Sequence, residues 1–470
     1  MSFNNSMTVF KTLALAAALV GSSTLGQSAD ASRLKLQGAE KAANSPTVHQ
    51  IISRNRLRCG VTGEFVGMSI QQPGQAWEGL DVDFCRAVAV SIFGLPPFLF
   101  ARGGGNLAFQ MMSIRHSIDD KIEFKPTQTR DRLDLLASGF VDILFRSTTK
   151  TSARDTQYFA LGAGSKLEFG PVVYYDGQAI VVRLSPGTGA KAEAEKKAYL
   201  NLQRNRLLDP RGKEAREAEQ AYIRKYLAGK TICVQSNTTS LVNLRDYIER
   251  NRFDGDAKPT IREVATANEA RNDFFNPIGT CTAITGDFSQ LVGLQEAFAS
   301  QVADVFFLHD GTISPMMSKE PLAPVLREGD GLWADIVEWT VYGIIRAEEI
   351  GLDQAKALRI LQTYNRAYDD FGRGQYTFEA SQLTRSMQTD LLKYAGIQAS
   401  AASVADTFGL RRTWLLEIVA SIGNYGEVYE RAFAFRRGPG DKNLDHLRGL
   451  NALWNASPPG LHYAPPFKTR

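Results

Sequence analysis

Two spacings of apolar residues alternate along this chain. Short apolar runs at Leu57 to Val61 (LRCGV), Ile122 to Pro126, Val141 to Phe145, Thr231 to Gln235 (TICVQ) and Cys281 to Ile284 predict buried strands. Between them apolar positions recur at helical spacing. In Gly79 to Ile92, Val82, Cys85, Val88, Ala89 and Ile92 share a face, and Asp81 and Asp83 stand near the start, where acidic side chains suit the positive end of a helix. Further helices are predicted over Arg130 to Ser138, Leu241 to Asn251 and Leu332 to Ala347. Pro171 to Arg183 holds two β-rich pieces broken by Asp176-Gly177, and Glu320 to Arg327 (EPLAPVLR) reads as extended. Strands alternating with helices predict an α/β fold.

The first residues follow a different pattern. A polar stretch with one basic residue, Met1 to Lys11, precedes the apolar run Thr12 to Gly21, and Ala29-Asp30-Ala31 fits an A-x-A cleavage site. This is the order of a secretory signal peptide, expected over 1–31. The apolar run is too short for a bilayer, which needs about 20 residues. No later stretch reaches that length without charges, so a periplasmic location without direct membrane insertion is expected. Residues 32–56 read as a polar leader.

Hydrophobic residues make up 44% of the chain and charged residues 22%, which suits a globular protein with more than one domain. The net charge of +4 is too small for a nucleic-acid binder. It is concentrated in 191–230, which carries eleven basic residues against six acidic ones around an Asp209-Pro210-Arg211-Gly212 turn. That segment reads as a solvated helical hairpin, an insertion whose removal should leave the core closed. Gly449 to Trp454 and the Pro-rich end read as a C-terminal wrap. Four widely spaced cysteines, Cys59, Cys85, Cys233 and Cys281, read in an oxidising compartment as two disulfides, with three pairings open. No CxxC, HExxH or clustered histidine ligands occur, and no metal or cofactor is expected. His116, His309 and His462 are isolated and read as surface or capping residues. Gly103-Gly104-Gly105 lacks the spacing and lysine of a phosphate cradle.

Three strand ends carry polar residues able to hold a small zwitterion. Val141 to Phe145 runs into Arg146-Ser147-Thr148-Thr149-Lys150-Thr151-Ser152-Ala153-Arg154. Thr231 to Gln235 runs into Ser236-Asn237-Thr238-Thr239-Ser240, and the third strand is followed by Asp287. Open α/β sheets expose ligand groups at such ends. An amino acid's carboxylate wants the planar fork of an arginine and the free N–H groups of a helix start, and its ammonium wants a carboxylate.

The stretch from Trp77 to Ala89 (WEGLDVDFCRAVA) resembles the signature of family 3 extracellular solute-binding proteins. More narrowly, LRCGV at Leu57, YYDGQ at Tyr174, CVQSNTTSLVNLRDY at Cys233, SKEPLAPVLREGD at Ser318, GNYGEVYER at Gly423 and RGLNALW at Arg448 resemble the periplasmic general L-amino-acid-binding proteins. The resemblance covers most of 57–470. It implies a two-lobed periplasmic-binding-protein fold with a two-strand hinge, plus helical insertions. Lobe 1 would span 57–179 and return with the wrap over 321–470, and lobe 2 would span 180–320 with the charged insertion at 191–228. Each disulfide would then lie within a lobe, Cys59 with Cys85 and Cys233 with Cys281, because a bridge between lobes would oppose closure.

The resemblance also implies residue roles. Arg154 matches the arginine that grips the ligand carboxylate, and Thr149 a hydroxyl-bearing neighbour. Thr238 and Thr239 match the helix-start residues that add donors, and Asp287 the acid that holds the ammonium. Ser147 lies where a backbone carbonyl helps with the ammonium, and Phe65 matches an aromatic wall. The implied partners of this monomer are a free L-amino acid and the membrane permease of an ABC importer. Residues 101–121, 191–228 and part of 360–410 look inserted. Lys150 replaces an apolar or aromatic residue and Gly286 a hydroxyl residue, which bears on side-chain preference. The same fold also serves sensors and a dehydratase type of enzyme; catalysis would need a positioned acid or base in the cleft.

Overall fold

A computed structural model describes residues 45–467 apart from 72–73, 75, 96–106, 157–165, 206–212, 254–256, 298–304, 309–315, 363–406, 412 and 437–443. The expected signal peptide, most of the leader, Gly103 to Gly105, His309 and most of 360–410 lie outside the described residues.

Two five-stranded sheets repeat one plan. In the first the order is Ile122–Pro126, Leu57–Val61, Ile143–Leu144, Val325–Arg327, Leu167–Phe169. Its first three strands are parallel, and Val325–Arg327 runs antiparallel to both neighbours. In the second the order is Thr260–Val264, Thr231–Gln235, Ala283–Asp287, Gln178–Arg183, Val305–Phe307. Again three strands are parallel, and Gln178–Arg183 is antiparallel to both neighbours. Between the sheets, Tyr174–Asp176 pairs antiparallel with Glu320–Leu322, with Asp176 opposite Glu320. The chain leaves the first lobe along one of these strands and returns along the other. This is the expected α/β, two-lobed fold with a two-strand hinge.

Most predicted elements fall within a residue or two of their observed ends. Leu57–Val61, Ile122–Pro126 and Thr231–Gln235 match throughout, and Gly177 separates Tyr174–Asp176 from Gln178–Arg183. The described cysteines form the bonds Cys59–Cys85 and Cys233–Cys281, across 26 and 48 residues. Each ties the second strand of its lobe's sheet to a segment packed beside it, and loops of that size are worth roughly 3–4 kcal/mol each in the chain-entropy estimate.

The first lobe's core holds Phe84, Phe145, Trp333, Trp414, Tyr425 and Tyr429. The helix Trp414–Ile422 is buried over its whole length and crosses Gly331–Glu349 closely. A Cβ at Gly343 would sit 2.6 Å from Leu415 Cδ1, so a larger residue there would force the leucine side chain to move.

Four features differ from the sequence reading. The leader ends in a helix, Pro46–Arg54, which buries Val48 and Ile51. It is capped by Ser45, whose Oγ donates to Asp330 Oδ2 at 2.8 Å. Asp83 stands in the first turn as expected but does more than face the helix dipole; it is buried and accepts from Arg86 Nη1 at 2.9 Å and Arg431 Nε at 3.0 Å. His462 is no surface residue. It packs against Tyr425 and Tyr175, and burial pushes its pKa down to about 3.

The fourth difference is the hairpin Gly189–Asn205 and Lys213–Leu227. Ala192, Ile223, Tyr226 and Leu227 are buried with Ile232, Val234 and Phe306 of the second lobe, and Lys196 Nζ donates to Phe307 O at 3.2 Å. Dense surface charge hides this apolar stripe in the sequence. Excising 191–228 therefore strips the second sheet of cover and should unfold that lobe. Leu227→Ala should cost about 2–5 kcal/mol, read by urea denaturation; a loss under about 0.5 kcal/mol would restore the picture of a solvated appendage.

Candidate ligand-binding site

The ends of the parallel strands in both lobes point toward the hinge. From the first lobe, Ile143–Leu144 leads into Arg146 and Ser147, the short helix Ser152–Thr156 carries Arg154, and the hairpin Glu64–Phe65/Ser69–Ile70 brings Phe65. From the second, Thr231–Gln235 leads to Thr238 and the helix Thr239–Arg250, and Ala283–Asp287 ends on its aspartate. Phe65, Ser147, Thr149, Arg154, Thr238, Thr239 and Asp287 all line one cavity of about 60 Å³ between the lobes. The cleft rim is in contact: Asn268 donates to Glu64 from the other lobe, Arg436 lies 5.6 Å from the Phe288 ring centre, and Gly293 faces Val66.

Arg154 is mostly buried and held by its own loop. Its Nη1 donates to Thr149 O at 2.8 Å, and its backbone N–H donates to Thr151 Oγ1 at 3.2 Å. Burial pushes its pKa down, against the pull of Glu320 and Asp287. Across the cavity, burial pushes the Asp287 carboxyl well above the usual range. Asp176 and Glu320 push the same way, while Arg154 and Arg132 oppose. Gln290 Nε2 donates to Asp287 Oδ2 at 3.3 Å.

The hydroxyls named from the sequence are engaged within the protein. Thr238 caps its helix, accepting from Leu241 N–H at 3.3 Å and donating to Gln235 O at 2.7 Å. Thr239 Oγ1 donates to Glu320 Oε2 at 3.0 Å. Ser147, at φ 45°, donates both its N–H and its Oγ–H to Asp81 Oδ2, each at 3.0 Å. These two bonds make Asp81 a tether for the loop, where the sequence suggested a helix-end charge. Burial still pushes its carboxyl up to about 7.

Beyond the residues given roles in the sequence analysis, the polar lining includes Thr129, Arg132, Arg146, Gln235, Ser240, Thr285 and Gln290. Arg146 is buried, with Nε donating to Thr127 O and Nη2 to Thr129 Oγ1, each at 3.0 Å, and burial pushes its pKa down to about 10. It belongs to the hydroxyl-rich turn that the sequence offers as a ligand-holding strand end, without a role of its own there. Arg132 opens the helix Arg132–Ala137 and carried no signal beyond an ordinary charged helix start. Gly286 lines the cavity, whereas Lys150 does not; Lys150 Nζ donates to Phe169 O at 3.3 Å. Among the described residues no group of His, Cys, Asp or Glu could hold a metal ion, and no helix is long and apolar enough to cross a membrane.

Two lobes built on the same strand order, a two-strand hinge and a cavity lined from both sides define a periplasmic binding protein of the two-lobed α/β class. No family model matches the chain. The general L-amino acid-binding periplasmic protein AapJ of Rhizobium johnstonii is 30% identical over 427 residues, 91% of this chain and 94% of that protein. The glutamate/glutamine/aspartate/asparagine-binding protein BztA of Rhodobacter capsulatus is 27% identical, covering 91% of this chain and 95% of its own. A solved periplasmic binding protein of an ABC transporter from Brucella ovis, with glutathione bound, superposes with a TM-score of 0.58 at 28% identity. The match covers 90% of this chain and 99% of that one. The chain belongs to the family of general L-amino-acid-binding periplasmic proteins.

Asp81 supplies a test of the loop tether. Its folded pKa lies above that of an exposed aspartate, near 3.9. The folded state therefore binds the extra proton between those values, and stability is lost as pH rises through about 7. Asp81→Asn removes this slope. Relative to the parent, the variant should gain on the order of a few kcal/mol from pH 4 to pH 8 in denaturant titrations. A difference that stays constant across that range would mean Asp81 is ionised throughout.

Proposed function

We propose that this chain is the substrate-binding component of an ABC importer, capturing a free L-amino acid in the periplasm and delivering it to the membrane permease without chemical change. The observation that carries the reading is that Arg154 and Asp287, from opposite lobes, face one small cavity beside a helix start. The ligand carboxylate takes the Arg154 fork and the N-terminus of Thr239–Arg250, whose dipole favours an anion. The ammonium takes Asp287, with Phe65 as the wall beside the side chain. Thr149 fixes Arg154 through its carbonyl, and Ser147 shapes the loop. In this reading the protein works as a monomer without cofactor. It divides into lobe 1 at 57–179 and 321–470 and lobe 2 at 180–320, behind a signal peptide and leader.

Ligand binding changes the charge balance at the hinge. Burial makes Asp287 hold its proton more tightly than an exposed aspartate, and the neighbouring Asp176 and Glu320 add to the effect. An arriving ammonium favours the ionised form, so binding releases that proton and strengthens as pH rises through its titration.

A thermal-shift screen over the common amino acids should find ligands that raise Tm, by mass action on the folded state. For one such ligand, calorimetry on Arg154→Ala and Asp287→Asn should show a loss of about 2–5 kcal/mol, roughly 30-fold to several thousand-fold. The unliganded fold should stay close to parental stability. Either variant binding within about threefold of the parent would refute the site; turnover of the amino acid into a product would refute the transport reading.

A further inference from the structure

One short hairpin carries much of the contact between the lobes at the cleft rim. Its strands Glu64–Phe65 and Ser69–Ile70 pair antiparallel, and its turn is fixed on the first lobe. Met68 N–H donates to Phe65 O at 3.1 Å and Leu80 N–H to Gly67 O at 2.9 Å, and a Cβ at Gly67 would stand 2.7 Å from Phe433 Cε1. Phe65 lines the cavity, and the residues on either side of it meet the second lobe. The half-buried Glu64 accepts from Asn268 Nδ2 in the first turn of the helix Ala267–Phe275, and Arg271 of the same helix attracts its charge. Val66 meets Gly293, which stands inside the helix Phe288–Ala297. Glycine weakens a helix interior, and here its missing side chain makes room for the other lobe. Gly293 is buried, and beyond its own helix the atoms nearest to where a Cβ would stand belong to Val66, at 3.1, 3.2 and 3.7 Å.

We propose that this hairpin is a latch: Glu64 with Asn268, and Val66 with Gly293, fasten the closed lobes directly to each other and so set how long a captured molecule is held. The proposal rests on the amino-acid-binding reading and adds a determinant of release to it. None of the four residues lines the cavity, so they are positioning residues that touch no ligand. A contact made only between the lobes favours the closed form by the same amount whatever the cleft contains. It therefore scales every affinity by one factor and leaves the order of preference unchanged. A residue of the cavity wall would instead change the affinities unequally.

The test is calorimetry on the full mature chain, refolded to strip any retained ligand, with each of the common L-amino acids in turn. Glu64→Ala and Asn268→Ala should each weaken every amino acid that binds the parent by about threefold to tenfold. Both changes remove the same contact, so the double variant should bind about as well as either single one. Gly293→Leu drives a side chain into Val66 and should weaken binding about tenfold or more. Stopped-flow fluorescence should place most of each loss in faster release, and the ligand-free variants should melt close to the parent. Affinities within about twofold of the parent in all three single variants would overturn the latch. So would losses that differ severalfold from one amino acid to another, since they mark direct contact with the ligand. Both of those results leave the amino-acid reading intact. If no amino acid binds the parent, that reading falls and the latch falls with it.

Discussion

Asp176 and Glu320 face each other across the two strands that join the lobes. Like charges directly opposite in an antiparallel pair repel, so this ladder stands only because each carboxylate is held by donors. Asp176 accepts from Gly177 N–H at 2.9 Å and from the hydroxyl and N–H of Ser289. Glu320 accepts from Thr239 Oγ1 and Asn243 Nδ2, each at 3.0 Å, and from Ser318 Oγ at 2.6 Å. Thr239, Asn243 and Ser289 all belong to the second lobe, so the hinge acids are fastened on that side. The first lobe holds the other end. Asn451 of the C-terminal wrap exchanges two hydrogen bonds with the Tyr175 backbone, and Tyr425 Oη donates to Val173 O. The wrap therefore steadies the hinge as well as covering the core.

The same acids set the character of the cavity. With Asp287 they form a cluster of acids on one side of the cavity, of which Asp287 lines it, and three arginines line the other side. Arg146 has Glu64 and Asp81 in its own lobe, whereas the carboxylates nearest Arg154 are Glu320 and Asp287 across the cavity. In the proposed reading a dipolar ligand bridges the two sides, because its two ends match the two walls. Closure is then tied to occupancy by electrostatics, and a ligand shifts the lobes only by the difference in its affinity for open and closed forms.

The sheets were legible in the sequence because each strand is a short apolar run bounded by polar turns, and Gly177 marks the passage from hinge to second lobe. The proposed clamp follows only from family likeness, since an arginine in a Ser/Thr-rich turn and an aspartate after a strand are common surface features. What escaped has a shared physical cause. Arg132, Asp81, Asp83 and His462 are buried polar groups, and a one-dimensional pattern assigns such residues to solvent. The helix Trp414–Ile422 is buried all round, Glu417 and Ser421 included, so its polar positions do not mark a solvent face. In the hairpin, Ile223, Tyr226 and Leu227 are too few among charged neighbours to stand out.

Stiff lobes make the hinge useful. The bond Cys59–Cys85 pins the strand Leu57–Val61 to the helix Leu80–Phe93, and Cys233–Cys281 pins the strand Thr231–Gln235 to the segment leading into the central strand Ala283–Asp287. Both pinned elements feed the site: the first helix carries Asp81, which tethers Ser147, and the second strand ends on Asp287. Without such restraint, ligand free energy would be spent ordering each half-site. With both half-sites preformed, less ordering opposes binding, and more of the interaction is left to bias the lobes toward closure.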